Sequence, residues 1–163
     1  MKFTSGVEQA AAIVVLLASQ DLKSPLASDE ISRILEVSPS YIKKLTRRMV
    51  IKGIINSVSG TKGGITLAKS KNELTVLDLI EAIEGPINVY QSTGLIQNSF
   101  KDGLYAEKGS EVVSSMFEGA NQLLVQYFSS ITIADLLKQS TGGSDLPKID
   151  WNTMSLAHFL NKK

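Results

Sequence analysis

Ser40, Lys43, Lys44 and Arg47 follow one another at intervals of three, one and three, which gathers a hydroxyl and three cations on one face of a helix. Such a set performs no covalent chemistry. It neutralises phosphates, and its Lys and Arg donors also match the acceptor edge of guanine. The surroundings share its sign. Val37 to Asn72 contains no Asp or Glu but carries eight basic residues, adding Arg48, Lys52, Lys62, Lys69 and Lys71 to the three above. Residues 1–71 hold eleven Lys/Arg against five Asp/Glu, a net of +6, while residues 72–163 hold six against eleven, a net of −5. The overall charge of +1 therefore conceals a dipolar molecule whose first half favours a polyanion. A solvated cationic face would give the same helix in isolation, so the flanking elements must decide.

Other chemistries lack their residues. With no Cys there is no disulfide, thiolate zinc site or cysteine-ligated cluster, and a single histidine, His158, does not make a metal site. The glycine-rich stretch Ser59–Gly64 does not have the spacing of a phosphate-cradling nucleotide loop, and no Gly-x-Ser-x-Gly elbow marks a hydrolase. The chain is expected to be no enzyme and to need no cofactor or metal. The amino end lacks the order of a signal peptide, and the longest apolar run, Ala10–Ala18, is too short to cross a bilayer. A soluble cytoplasmic protein with no membrane partner is the expectation.

The basic set must be positioned by the elements around it. Ser5 with Glu8 three residues on predicts a capped first helix running to about Ser19, buried on more than one face. Ser28 before Asp29 and Glu30 starts a short second helix with Ile31, Ile34 and Leu35 inward, and Glu36-Val37 leaves room only for a tight connection. Ser38-Pro39 opens a third helix and Gly53 closes it. On that helix Ile42, Leu45 and Met49 form the core stripe opposite Ser40, Lys43, Lys44 and Arg47. Ile54–Val58 and Ile65–Ala68 then flank a flexible tip bearing Lys62, which reads as a hairpin. Two helices, a tight turn and a hairpin make a winged helix-turn-helix, with the second helix suited to a major groove and the wing to the neighbouring backbone.

A helix from Thr75, with Asp78 completing a capping box, should end at Gly85-Pro86, and residues 87–106 show no clean periodicity. From about Glu107 to Ser130, Val113, Phe117, Ala120, Leu124, Tyr127 and Ile131 recur at spacings of four and three, widened by Val112, Met116, Leu123 and Phe128. A stripe that broad suits a long helix packing on its own domain and on a second subunit, whose two-fold symmetry would match a palindromic operator. The fold class is thus mainly α with a small β-hairpin: a winged-helix domain at 1–86, then a dimerisation region at 87–163 that includes a tail at 139–163.

Three blocks in fixed order now carry a resemblance. Glu30-Ile31 through Val37-Ser38-Pro39-Ser40-Tyr41-Ile42-Lys43-Lys44-Leu45, Gly60-Thr61-Lys62-Gly63-Gly64-Ile65-Thr66-Leu67-Ala68, and Leu74-Thr75-Val76-Leu77-Asp78 to Ile83-Glu84-Gly85-Pro86 resemble the Rrf2 family of bacterial winged-helix regulators, and the match extends over about residues 1–138. The resemblance implies a homodimeric transcription factor, usually a repressor on a pseudo-palindromic operator, with the long helix as the dimer contact. It implies that Ser38, Ser40, Tyr41, Lys43, Lys44 and Arg47 face double-stranded DNA, with Lys62, Gly63 and Gly64 in the wing and Arg48 on a phosphate. Tyr41 is open to two roles, contact or brace.

The chain departs from the family where cluster-binding members place three cysteines, a segment that here corresponds to about 87–106 and contains none. Without thiolates it cannot hold their iron–sulfur cluster or sense redox state directly. For cluster-free members the resemblance implies a protein effector, or a small-molecule effector bound near 87–106. The competing function is a winged-helix interaction module that binds an enzyme or other acidic partner through its basic face. It would not distinguish operator from random DNA. The tail around Trp151 and Leu146–Leu160 lies beyond the resemblance and is expected either to dock back or to clasp another subunit.

Overall fold

The apolar run Ala10–Ala18 forms the centre of α1 (Ser5–Ser19), where Ala10, Ile13, Val14, Leu16, Leu17 and Ala18 are all buried. The computed structural model describes residues 2–21, 24–60, 63–99, 105–144 and 146–155, so the expectations for Lys62 and His158 lie outside the described residues. Helix α1 starts one residue from the expected cap. The Thr4 hydroxyl accepts the Gly6 amide at 3.3 Å, Ser5 is already helical, and the Thr4 amide donates to Glu84 at 2.9 Å. The cap is thereby tied to the far end of another helix.

Around α1 stand α2 (Ser28–Leu35), α3 (Pro39–Ile51) and α4 (Val76–Glu84), with the hairpin β1 (Ile55–Val58) and β2 (Gly64–Leu67) between the last two in sequence. Helix α2 includes Ser28; its cap position is Ala27, which has no side-chain acceptor, so the acids Asp29 and Glu30 in the first turn are left to complement the helix dipole. The hairpin pairs antiparallel, Ile55 opposite Leu67 and Val58 opposite Gly64. Leu26 also bridges β2, exchanging backbone hydrogen bonds with Ile65 at 3.0 and 2.8 Å. Helix α4 has the expected capping box between Thr75 and Asp78. Burial pushes the Asp78 carboxyl up, but the Thr75 amide and hydroxyl and the Lys69 ammonium together hold it below its ordinary value.

The aperiodic segment contains a short α5 (Leu95–Ser99), which packs on α6 (Ala106–Ser129), the long helix anticipated from the sequence. Its 24 residues extend about 36 Å at 1.5 Å each. The chain then turns back: Ile131 accepts the Val76 amide at 2.9 Å, and α7 (Ile133–Ser140) buries Ile133 and Leu137 in the core that α1 organises. The tail follows it home. Ile149 pairs with the end of α1 through Ser19 and Asp21, both at 2.9 Å, and the Trp151 indole donates to the Ser19 hydroxyl at 3.0 Å. Of the two tail arrangements expected, residues 146–155 adopt docking, on α1 of their own chain.

Candidate nucleic-acid interface

The α2–α3 junction is tight because Glu36 adopts the left-handed conformation, φ 54°, and the chain reverses within two residues. The Ser32 carbonyl accepts the Val37 amide at 3.1 Å, and the Ser32 hydroxyl donates to the Val37 carbonyl. Ser38 then caps α3, with Pro39 in the first turn, and Gly53 follows the helix at φ +66°, as the stop signal anticipated.

Rotation of α3 about its axis is fixed by burial. Ile42, Leu45 and Met49 are at most 3% exposed, and each contributes about 1.5–3 kcal/mol when removed from water. Ser40, Lys43, Lys44 and Arg47 consequently stand exposed on the opposite face. Among the described residues none of these three cations is in an ion pair; the ion pairs there are Arg33–Glu30 at 2.7 Å and Lys69–Asp78 at 3.5 Å. Their charge is available to an external anion. Between α3 and the hairpin lies a groove of about 550 Å³, bordered by Lys43, Thr46 and Arg47 on one side and Ser57 and Ile65 on the other. Ser28 and Ser57 join this groove unannounced by the sequence, because their proximity comes from packing between elements.

Other site residues also make contacts within the chain. Tyr41 is half-buried against the core, and its hydroxyl lies 3.5 Å from where a Cβ on Gly6 would stand, so it braces α3 on α1. Arg48 donates to the Ile83 carbonyl at 2.8 Å, satisfying one of the last carbonyls of α4 and tying α3 to it. Gly63 and Gly64 are required by the backbone around them. A Cβ would sit 2.3 Å from the Val58 carbonyl oxygen at Gly63 and 2.5 Å from that of Leu26 at Gly64.

On α6 the broad stripe divides in two. Val113, Phe117, Ala120 and Leu124 are half-buried, on the side where Phe117 stacks on Tyr90 at 4.4 Å between ring centroids. Val112, Met116, Leu123 and Tyr127 are exposed at 60–69% along an adjoining line. Ile131 lies past the end of α6, half-buried.

A family model described as Rrf2, iron-dependent transcriptional regulator, matches residues 3–139. The chain is 45% identical over 101 residues to YwgB of Bacillus subtilis, named as an HTH-type transcriptional regulator; that match spans 62% of this chain and 65%, just under two thirds, of the relative. It is 31% identical over 150 residues to YffB of Lactococcus lactis, named likewise, covering 92% of this chain and 96% of that one. Its fold is similar to CymR, the global cysteine regulator of Bacillus subtilis, with a TM-score of 0.62 at 20% identity over 89% of this chain and 99% of that one. A transcriptional regulator from Listeria innocua superposes with a TM-score of 0.61 at 26% identity, covering 89% and 90%. The iron in the family description has no cysteine ligand here, and segment 87–99 offers neither cysteine nor histidine in its place.

Proposed function

The chain belongs to the Rrf2 family of DNA-binding transcriptional regulators, and on that premise we propose that it acts in the cytoplasm as a homodimeric repressor of a pseudo-palindromic operator, without an iron–sulfur cluster. Each protomer lays α3 in a major groove, with Ser40, Lys43, Lys44 and Arg47 towards base edges and phosphates, and sets the hairpin on the flanking backbone. The observation that carries this reading is the fixed rotation of α3: a fully buried apolar stripe holds three cations outward beside a hairpin. Ser38, Tyr41, Arg48, Gly63 and Gly64 serve by shaping and bracing that surface, and Lys62 adds charge to the wing. The apolar line Val112, Met116, Leu123 and Tyr127 supports the dimer, because four exposed large side chains on one helix face suit a matching helix from a second copy. Repression rests on the family resemblance, through a bound dimer that occupies promoter DNA.

Fluorescence anisotropy tests the reading directly. The DNA upstream of the protein's own gene should bind tightly and resist competitor, while a scrambled duplex should bind at least about a thousandfold more weakly. Equal, weak binding to both duplexes would instead favour the interaction-module function.

A further inference from the structure

We propose that a small monocarboxylate with an apolar body, of the size of hexanoate, binds between the end of α1, strand β2 and the docked tail. A cavity of about 250 Å³ lies there, with Leu17, Ile65 and Leu67 among its apolar walls. That is larger than the roughly 150 Å³ that accepts benzene and smaller than the roughly 300–1,000 Å³ of drug-sized sites. Lys71 and Lys148 border it, together with Asp21, so the charge around it is net positive. Among the described residues neither lysine is in an ion pair. The Lys148 ammonium is held at 2.8 Å by the Ala18 carbonyl, a free carbonyl at the end of α1, which leaves it two further donors. Apolar walls with two lysines at the border match a carboxylate on a short hydrocarbon body.

The tail wall is pre-organised. Gln20 donates to Asp150 at 3.1 Å and accepts the Trp151 amide at 3.1 Å, and Asn152 accepts the Ala27 amide at 2.9 Å. The lining Lys148 and the docked Asp150, Trp151 and Asn152 lie beyond the 3–139 match, so this cavity is partly a property of this chain's own tail. None of its described lining residues comes from the segment at 87–106 expected to bind an effector. Strand β2 forms another wall and leads back to the hairpin tip, so occupancy would alter the wing. That consequence rests on the DNA-binding reading; the binding does not.

Isothermal titration of the full chain with sodium hexanoate tests the site, with 1-hexanol and acetate as controls. Saturable one-site binding of hexanoate is expected, accompanied by a raised melting temperature, and with much weaker binding of either control. Lys71→Gln, which removes no side-chain hydrogen bond described here, should weaken hexanoate at least about tenfold, and adding Lys148→Gln should weaken it further. Circular dichroism should show both variants folded, and Lys71→Arg should retain binding. No saturable hexanoate binding, equal binding of hexanol, or undiminished binding by folded Lys71→Gln would each overturn the proposal, whatever the protein does with DNA.

Discussion

Helices α3 and α6 are both amphipathic, yet they present opposite chemistries to the outside. Helix α3 buries Ile42, Leu45 and Met49 and exposes cations, whereas the one buried residue described on α6 is Ser110, and Met116, Leu123 and Tyr127 stand at least 60% exposed. The first is positioned by its own core, so its outward face is free to be charged and to suit a polyanion. The second leaves several side chains in water that would each contribute about 1.5–3 kcal/mol if covered. A buried stripe reports what holds a helix in place. The exposed face reports what it meets.

The sharpest way to break this contrast is to charge the outer face of α6. Met116→Glu together with Leu123→Glu should convert the proposed dimer to a monomer by light scattering and weaken operator binding by about 10²–10⁴-fold through lost bivalency. A variant that stays dimeric would show that this stripe is not the contact. On α3, Arg47→Ala or Lys43→Ala should cost about 1–3 kcal/mol of specific binding where the residue reads a base, with the urea midpoint unchanged because neither side chain is in the core.

Gly64→Ala probes the hairpin that accompanies α3. Its Cβ would meet the Leu26 carbonyl oxygen at 2.5 Å, so stability should fall by about 1–3 kcal/mol in urea titrations, and DNA affinity should fall only as the fold does. The smallest effect lies in the helix caps that hold both regions to the core. Thr75→Ala removes the α4 cap and should cost about 1 kcal/mol at neutral pH. Folding lowers the Asp78 carboxyl below its ordinary 3.8, so its stabilising contribution is complete above that value and is lost as pH falls through the depressed folded value. The stability gap between wild type and Thr75→Ala should therefore narrow in acid; a gap that widens there would contradict the assigned role of the cap.

Helix α3 was legible because its signals are local: Ser38-Pro39 at the start, Gly53 at the stop, and an apolar stripe at helical spacing between. The Thr75–Asp78 box and the length of α6 were legible for the same reason. What escaped depends on partners distant in sequence. Arg48 neighbours the cationic set on the chain, and only the approach of α4 turns it to the Ile83 carbonyl. Gly63 and Gly64 look like a pliant tip until the backbones of Val58 and Leu26 are seen to leave no space for a Cβ. The tail's docking is set by hydrogen bonds spanning about 130 residues, such as Lys148 to Ala18, which no local pattern encodes. The first helix carried both kinds of information: its apolar run was plain, while Thr4 was chosen as the cap partly through Glu84 on a different helix.

Whether the outward cations of α3 meet nucleic acid is decided by a salt series on the upstream duplex. Wild type and a Lys43→Ala, Lys44→Ala, Arg47→Ala variant would be titrated by fluorescence anisotropy at several salt concentrations. Wild type should show a steep fall of log affinity with log salt, and the variant a weaker affinity with a slope shallower by about 0.9 for each phosphate contact removed. An unchanged affinity and slope in the folded variant would contradict contact between these cations and DNA.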